Sequence, residues 1–134
     1  MRVLIDSNVL ISAARSDAGK PYAAFLKATL PPNQAFVCEQ NLDEMRRIFN
    51  RKFPDRIPAM ERFLALAIPA IEIISVPERS IDDEQKIPDI DDRPLLRAAV
   101  AAEVDVILTG DGDFLNSGLE YPLPMRPAEF LEME

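Results

Sequence analysis

Two apolar runs of this chain end in aspartate, and this limits its possible folds more than any other feature. Val3-Leu4-Ile5 closes on Asp6. Val106-Ile107-Leu108 leads through Thr109-Gly110 to Asp111, with Asp113 two residues on. Short runs of Val, Ile and Leu without polar alternation read as strands buried on both faces, as in parallel sheets. Similar runs at 35–38, 71–76 and 122–125 give five predicted strands, the second run being 104–109 in full. Helical periodicity and proline starts predict helices at 7–14, 21–30, from Gln40 or Asn41 to 53, 58–67, 94–103, 111–116 and 127–133. Strands alternating with helices predict one α/β domain over 1–134, a three-layer α/β/α sandwich around a central, mainly parallel sheet. In such sheets ligands bind outside the carboxyl ends of the strands, where Asp6 and Asp111 fall.

The apolar spacings also predict which faces turn inward. They are Phe25, Leu26 and Leu30 in the second helix, and Leu42, Met45, Ile48, Phe49 and Phe53 in the third. Met60, Phe63, Leu64 and Ala67 follow in the fourth, then Leu95, Leu96, Ala99 and Val100 in the fifth. The polar, acidic stretch 77–88 reads as an exposed loop.

Composition removes several chemistries. Histidine is absent, so there is no Ser-His-Asp triad, no Cys-His pair and no His-ligated zinc. Cys38 stands alone and reads as a small apolar residue at a strand end. The net charge of −8 argues against a broad, nonspecific nucleic-acid coat but allows a local basic patch. No apolar run approaches the ~20 residues that span a bilayer, and the first apolar run stops at Asp6, unlike a signal peptide. The expectation is a cytoplasmic protein with no membrane association.

The acids each admit two readings. Asp6-Ser7-Asn8 suits a helix N-cap, or a metal ligand with polar neighbours. Glu44 falls about 40° from Ile48 on the helical wheel, at the flank of the apolar face; Asp43 and Glu39 compete with it. In Asp89-Ile90-Asp91-Asp92, acids ahead of a helix favour its dipole. Extending the helical phase backward aligns Asp92 with Leu96 and Ala99 and turns Asp91 away. Glycines flank Asp111, which allows close approach of backbone or ligand. Carboxylates ~4 Å apart repel by roughly 4 kcal/mol per pair at an effective dielectric of 20. A fold that gathers them needs a cation, and hard divalent ions take oxygen ligands. Mg²⁺ or Mn²⁺ and phosphodiester hydrolysis are the chemistry expected.

In this order, the segments 4–10, 41–45, 89–98 and 107–111 resemble the PIN-domain family of nucleases over nearly the whole chain. The resemblance rests on Leu4-Ile5-Asp6-Ser7-Asn8, Asn41-Leu42-Asp43-Glu44-Met45, Asp89-Ile90-Asp91-Asp92 and Ile107-Leu108-Thr109-Gly110-Asp111. It implies a metal-binding and catalytic quartet of Asp6, Glu44, Asp92 and Asp111, with Asp113 accessory and Asn8 and Thr109 as orienting polar neighbours. It also implies a central parallel sheet, Mg²⁺ or Mn²⁺, a single-stranded RNA substrate, an antitoxin protein as partner in a toxin–antitoxin pair, and a homodimer. Pro94, just after Asp92-Arg93, departs from the commonest run there. A non-catalytic PIN-like binding module is an alternative. A receiver-type phosphoacceptor domain fits less well, since 71–76 runs into Pro77 and no suitable lysine ends a later strand.

Arg46, Arg47, Arg51, Lys52, Arg56 and Arg62 make the densest basic stretch. It can track a phosphate backbone, with Arg47 and Arg51 as candidates, or form a solvated face paired with Asp43, Asp55 and Glu61. Arg93 and Arg97, a turn apart beside Asp92, are further candidates for substrate contact.

Overall fold

A computed structural model describes residues 1–133. Five strands, β1 (Arg2–Ile5), β2 (Gln34–Cys38), β3 (Ile71–Ile74), β4 (Val106–Leu108) and β5 (Leu123–Met125), form one sheet in the order β3-β2-β1-β4-β5. Every pairing is parallel. The helices are α1 (Ser7–Arg15), α2 (Lys20–Thr29), α3 (Glu39–Lys52), α4 (Ile57–Ala67), α5 (Arg93–Ala101), α6 (Gly112–Leu115) and α7 (Pro127–Glu132).

The lack of polar alternation in β1, β2 and β4 has a direct cause: both sheet faces are covered. Val3, Ile5, Ala35, Val37, Val106 and Leu108 face one core, shared with α1 to α4 and α7. Leu4, Phe36, Cys38 and Ile107 face the other, with Leu95, Leu96 and Ala99 of α5 and Phe114 of α6. Adjacent residues thus serve opposite layers, as the period of two in a strand requires. The three-layer α/β/α sandwich is the architecture observed, with a sheet parallel throughout. β1 and β4 pair Ile5 with Leu108, so Asp6 and Thr109 leave the sheet side by side. The Asp6 amide donates to the Leu108 carbonyl (3.0 Å), and the Thr109 amide to Met125 (2.9 Å).

Three sequence expectations change. Leu26 and Leu30 are exposed, and α2 buries Ala24, Phe25 and Ala28 instead. Alanines let α1 and α7 approach α2 closely, and this rotates the leucines into an open apolar groove beside Phe130 and Met133. Val100 is likewise exposed, because α5 buries Ala98 in its place. The stretch 77–88 is not simply an exposed loop. It contains a 3₁₀ turn, Asp82–Lys86, with Ile87 fully buried and Glu84 only 4% exposed. Arg97 explains that burial: Nε and Nη2 donate to the two Glu84 carboxylate oxygens at 2.6 and 3.1 Å, the forked geometry that suits a carboxylate. The predicted inward faces of α3 and α4 otherwise hold at Leu42, Met45, Phe49, Met60, Phe63, Leu64 and Ala67, all buried. Ile48 and Phe53 are half-buried. Cys38 is fully buried at the end of β2, and desolvation pushes its thiol up to about 12.

Candidate metal centre

The carboxyl ends of β1 and β4 open into a recess of about 190 Å³ lined by Asp6, Glu44, Asp91, Asp92 and Asp111 among polar neighbours. Among the described residues, no lysine or arginine lines it.

Asp6 is both a cap and a member of this wall, so the two readings of its triplet are compatible. Its Oδ1 accepts the Ser7 amide at 2.7 Å, capping α1, and Asn41 Nδ2 at 3.2 Å. Its Oδ2 accepts Thr109 Oγ1 at 2.8 Å and Asn8 Nδ2 at 3.1 Å. The carboxylate is 8% exposed and held by neutral donors alone. Burial pushes its pKa above the ordinary value; the hydrogen bonds from Thr109 and Ser7 oppose this, and the charges of Asp111 and Glu44 add to it.

Glu44 sits at the flank of α3, as its helical angle predicts, and Ile48 lies with it on the recess wall. Ser7 Oγ donates to Glu44 Oε1 at 2.9 Å. Asp111 caps α6 by accepting the Asp113 amide at 2.9 Å, and its own amide donates to Thr109 Oγ1 at 3.0 Å. The Gly110 amide donates to Asn8 Oδ1 at 2.9 Å. Asn8 therefore ties α1 to the β4–α6 turn, with one end of its amide on Asp6 and the other on Gly110.

Asp92 precedes α5 but makes no side-chain cap bond to it. Its carboxyl lies against Asp111, and its pKa rises to about 7. Burial is the largest cause, followed by the charge and hydrogen bond of Asp111 and then the charges of Asp89 and Asp6. Carboxylate oxygens of Asp89, Asp92 and Asp113 lie within 4.8 Å of one another. Asp92 thus belongs to two groups, the recess wall and this second triplet, and Asp113 adjoins the recess through it.

The arginines lie elsewhere. Arg93 Nε donates to the Ile87 carbonyl at 2.9 Å, and Arg97 holds Glu84. Arg47 and Arg51 are exposed on α3, one turn apart, beyond Glu44. Arg46 pairs with Glu61 at 2.8 Å.

Two contributors escape a reading of local sequence. Asn41, 4% exposed, is a direct donor to Asp6; its spacing of three from Glu44 puts both on one helical face, which is the signal available for it. Asp89 joins Asp92 and Asp113, although it lies upstream of the phase that singles out Asp92. Its Oδ1 also accepts the Asp91 amide at 2.9 Å, a local turn that fixes its position.

The donor chemistry fits a hard divalent cation. All the carboxylate and polar ligands are oxygens, and the two most enclosed carboxyls are pushed up by burial first and by neighbouring carboxylates second, with no basic side chain opposing the shift. Such an array can bind a cation in place of protons.

A comparison with curated proteins finds no match. A family model described as PIN domain matches residues 2–113, from the first residue of β1 to Asp113. PIN domains are generally nucleases that use divalent metals. With most of the chain matched and the α/β/α sandwich around a parallel sheet in place, the chain belongs to the PIN-domain family.

Proposed function

We propose that this protein is an endoribonuclease that depends on Mg²⁺ or Mn²⁺ and cleaves single-stranded RNA. The observation that carries the reading is that Asp6, Glu44, Asp92 and Asp111 line one recess in which, among the described residues, no basic side chain takes part. In this reading these four residues hold the metal and Asp113 supports them from the adjoining triplet. A divalent cation held there supplies Lewis acidity, which makes water nucleophilic near neutral pH and offsets charge on a scissile phosphate. The protein's own residues orient the ligands. Thr109, Asn8, Asn41 and the Ser7 amide fix both Asp6 oxygens, and Ser7 Oγ fixes Glu44. Such positioning by outer hydrogen bonds limits the reorganisation needed when a ligand arrives. The absence of histidine is consistent with hydrolysis that needs no imidazole.

Arg47 and Arg51 continue the exposed face of α3 beyond Glu44 and serve as phosphate contacts. Arg93 and Arg97 are spent on Ile87 and Glu84, and substrate binding by them has less support. The cellular role that fits the family resemblance is the toxin of a toxin–antitoxin pair, cytoplasmic and homodimeric, restrained by an antitoxin protein. Among the described residues, no helix is long and apolar enough to cross a membrane.

The test combines metal binding and cleavage. A ligand at 100 times its Kd stabilises the folded state by about 2.7 kcal/mol, so Mn²⁺ should raise the melting temperature clearly. Asp6→Asn with Asp111→Asn should abolish the rise and the cleavage of single-stranded RNA. An equal rise in the double variant sinks the assignment. A metal-dependent rise with no cleavage of any strand makes the protein a binding module.

A further inference from the structure

Along α1 from the acidic recess lies a pair of arginines, Arg15 and Arg56. Both α1 and α3 begin at the recess, where Asn8 and Asn41 lie, and Ile11 and Ile48 of the same helices also line it. They end together too: the Arg15 guanidinium lies 4.0 Å from the ring centre of Phe53, the residue that caps α3. The helices therefore run the same way, with carboxylates at their starts and cations at their ends.

On α1, Asn8, Ser12 and Arg15 recur at spacings of four and three, which is one helical face, and Ser16, the C-cap, follows directly. Ser12, Arg15 and Ser16 are exposed. Three surface depressions along this face share lining residues. The recess shares Asn8 and Asp111 with a second depression that reaches Ser12. Ser12 is shared in turn with a third, formed with Arg15, Ser16 and Arg56. Arg56 Nη2 donates to the Arg15 carbonyl at 2.6 Å, which brings the two arginines together.

Neither Arg15 nor Arg56 has an acidic partner among the described residues. A cation in the last turn of α1 has an ordinary structural role against the helix dipole, and so does a guanidinium capping a last-turn carbonyl. That role uses one of the five donors of Arg56 and leaves both charges without a counter-ion, in a chain of net charge −8. Planar guanidinium forks match phosphate oxygens bidentately. An acidic peptide would meet carboxylates at the other end of the same path. A phosphodiester chain instead suits both ends: a scissile phosphate at a metal-loaded centre and a flanking phosphate on the arginines.

We propose that the exposed face of α1 is the track for the backbone of single-stranded RNA, with Arg15 and Arg56 gripping a phosphate roughly 12 Å from the start of α1, at 1.5 Å of rise per residue. Ser12 and Ser16 offer hydroxyls along the way. This rests on the nuclease reading and adds the direction in which the strand leaves the centre. It differs from the α3 face of Arg47 and Arg51, which are not among the residues lining the depression at Arg15 and Arg56.

The experiment measures binding of a labelled 12-nucleotide single-stranded RNA across ionic strength, in an Asp6→Asn background that leaves the strand intact. Cleavage of the same strand and of a dinucleotide is measured with Asp6 present. Arg15→Ala with Arg56→Ala should weaken 12-mer binding roughly tenfold to a hundredfold, as expected when charge-assisted hydrogen bonds are lost. It should lower the salt slope by about 0.7, the value for one phosphate contact on a single strand. Dinucleotide cleavage should be unchanged, because so short a substrate does not reach the arginines, while KM for the 12-mer rises. Ser12→Asp, a charge placed at an exposed position, should weaken 12-mer binding in the same direction and carries the test if the arginine variant does not fold. Arg15→Lys with Arg56→Lys should restore part of the affinity. An equal-length DNA should lose affinity in parallel, since the contact is to phosphate; loss for DNA alone overturns the track. Unchanged affinity and slope in both the arginine and Ser12 variants, in a wild type that cleaves RNA, overturn the track and leave the nuclease reading standing. Weakened binding in a protein that cleaves no strand supports the track and removes the nuclease reading.

Discussion

Replacing Asp92 by asparagine should make the metal-free protein more stable at alkaline pH. Asp92 has an ordinary carboxyl value of 3.8 in the unfolded chain and about 7 in the folded one, because burial and the neighbouring Asp111, Asp89 and Asp6 disfavour its charge. A group whose pKa rises on folding contributes stability below its unfolded value, and that contribution disappears as pH climbs through the folded value. The metal-free wild type should therefore lose stability between pH 4 and pH 7 and level off above. Three units at about 1.36 kcal/mol each set a ceiling near 4 kcal/mol. Asp92 is partly open to solvent, and screening reduces this to about 1–2 kcal/mol. That is about 4–8 °C in melting temperature for a domain of this size. Asp92→Asn removes the titration, so its metal-free melting temperature at pH 8 should exceed that of the wild type by this amount, and the two should converge near pH 4. Manganese should reverse the order, since the wild type exchanges a proton for a cation and the variant lacks the ligand. The assay is thermal unfolding by circular dichroism from pH 4 to 8, in EDTA and in Mn²⁺. A variant that is less stable than wild type in EDTA at pH 8, yet keeps the full manganese-induced rise, would refute the placement of Asp92 in an uncompensated acidic centre.

Asn41→Asp adds a further buried acid beside Asp6 and removes the amide donor; it should lower the metal-free melting temperature most at high pH, and an unchanged value at pH 8 would contradict the contact at 3.2 Å. Arg97→Gln leaves Glu84 buried without its ionic partner, so amide hydrogen exchange should accelerate across 82–92 while the sheet stays protected; uniform protection would show that the pair does not anchor this segment. Arg47→Ala with Arg51→Ala should reduce RNA affinity for all sequences and lower the salt slope by about 1.4, while the manganese-induced rise in melting temperature survives. An unchanged slope returns these arginines to an ordinary solvated face.

The sheet was readable because its strands are buried on both sides. Val3-Leu4-Ile5 and Val106-Ile107-Leu108 carry no polar residue, and no helix of this length would bury every side chain without a second core. Reading those runs as parallel strands puts Asp6 and Asp111 at the same edge of the sheet. What escaped depends on partners distant in sequence. Glu84 is buried because Arg97, thirteen residues on, accompanies it, and nothing near Glu84 announces that pairing. The inward face of α2 is set by alanines that let α1 and α7 come close, so the larger Leu26 and Leu30 mislead a hydrophobic pattern. Arg56 belongs to the end of α1 rather than to the basic stretch that precedes it, a consequence of the turn at Pro54–Arg56. Asp89 was visible as one of a cluster, but its approach to Asp113 requires β4 and α6 to be in place.

The distribution of counter-charges separates the two kinds of acid in this molecule. Glu84 is buried and receives a guanidinium, whose hydrogen bonds and charge hold its carboxyl below the ordinary value. Asp6 is as deeply buried and receives amides and hydroxyls, which satisfy its oxygens without offsetting its charge. Neutral donors fix where the oxygens point, and an arginine in their place would both fix and neutralise them. Burying a charge without a counter-ion destabilises the fold, and none of the chain's fifteen lysines and arginines lines the recess. Among the described residues, the buried carboxylate without a cationic partner is Asp6, at the end of β1, with the other acids of the recess beside it. Packing alone gives no reason for that placement. A cation bound there would return the lost stability, and under the proposed function the same cation would serve phosphodiester hydrolysis.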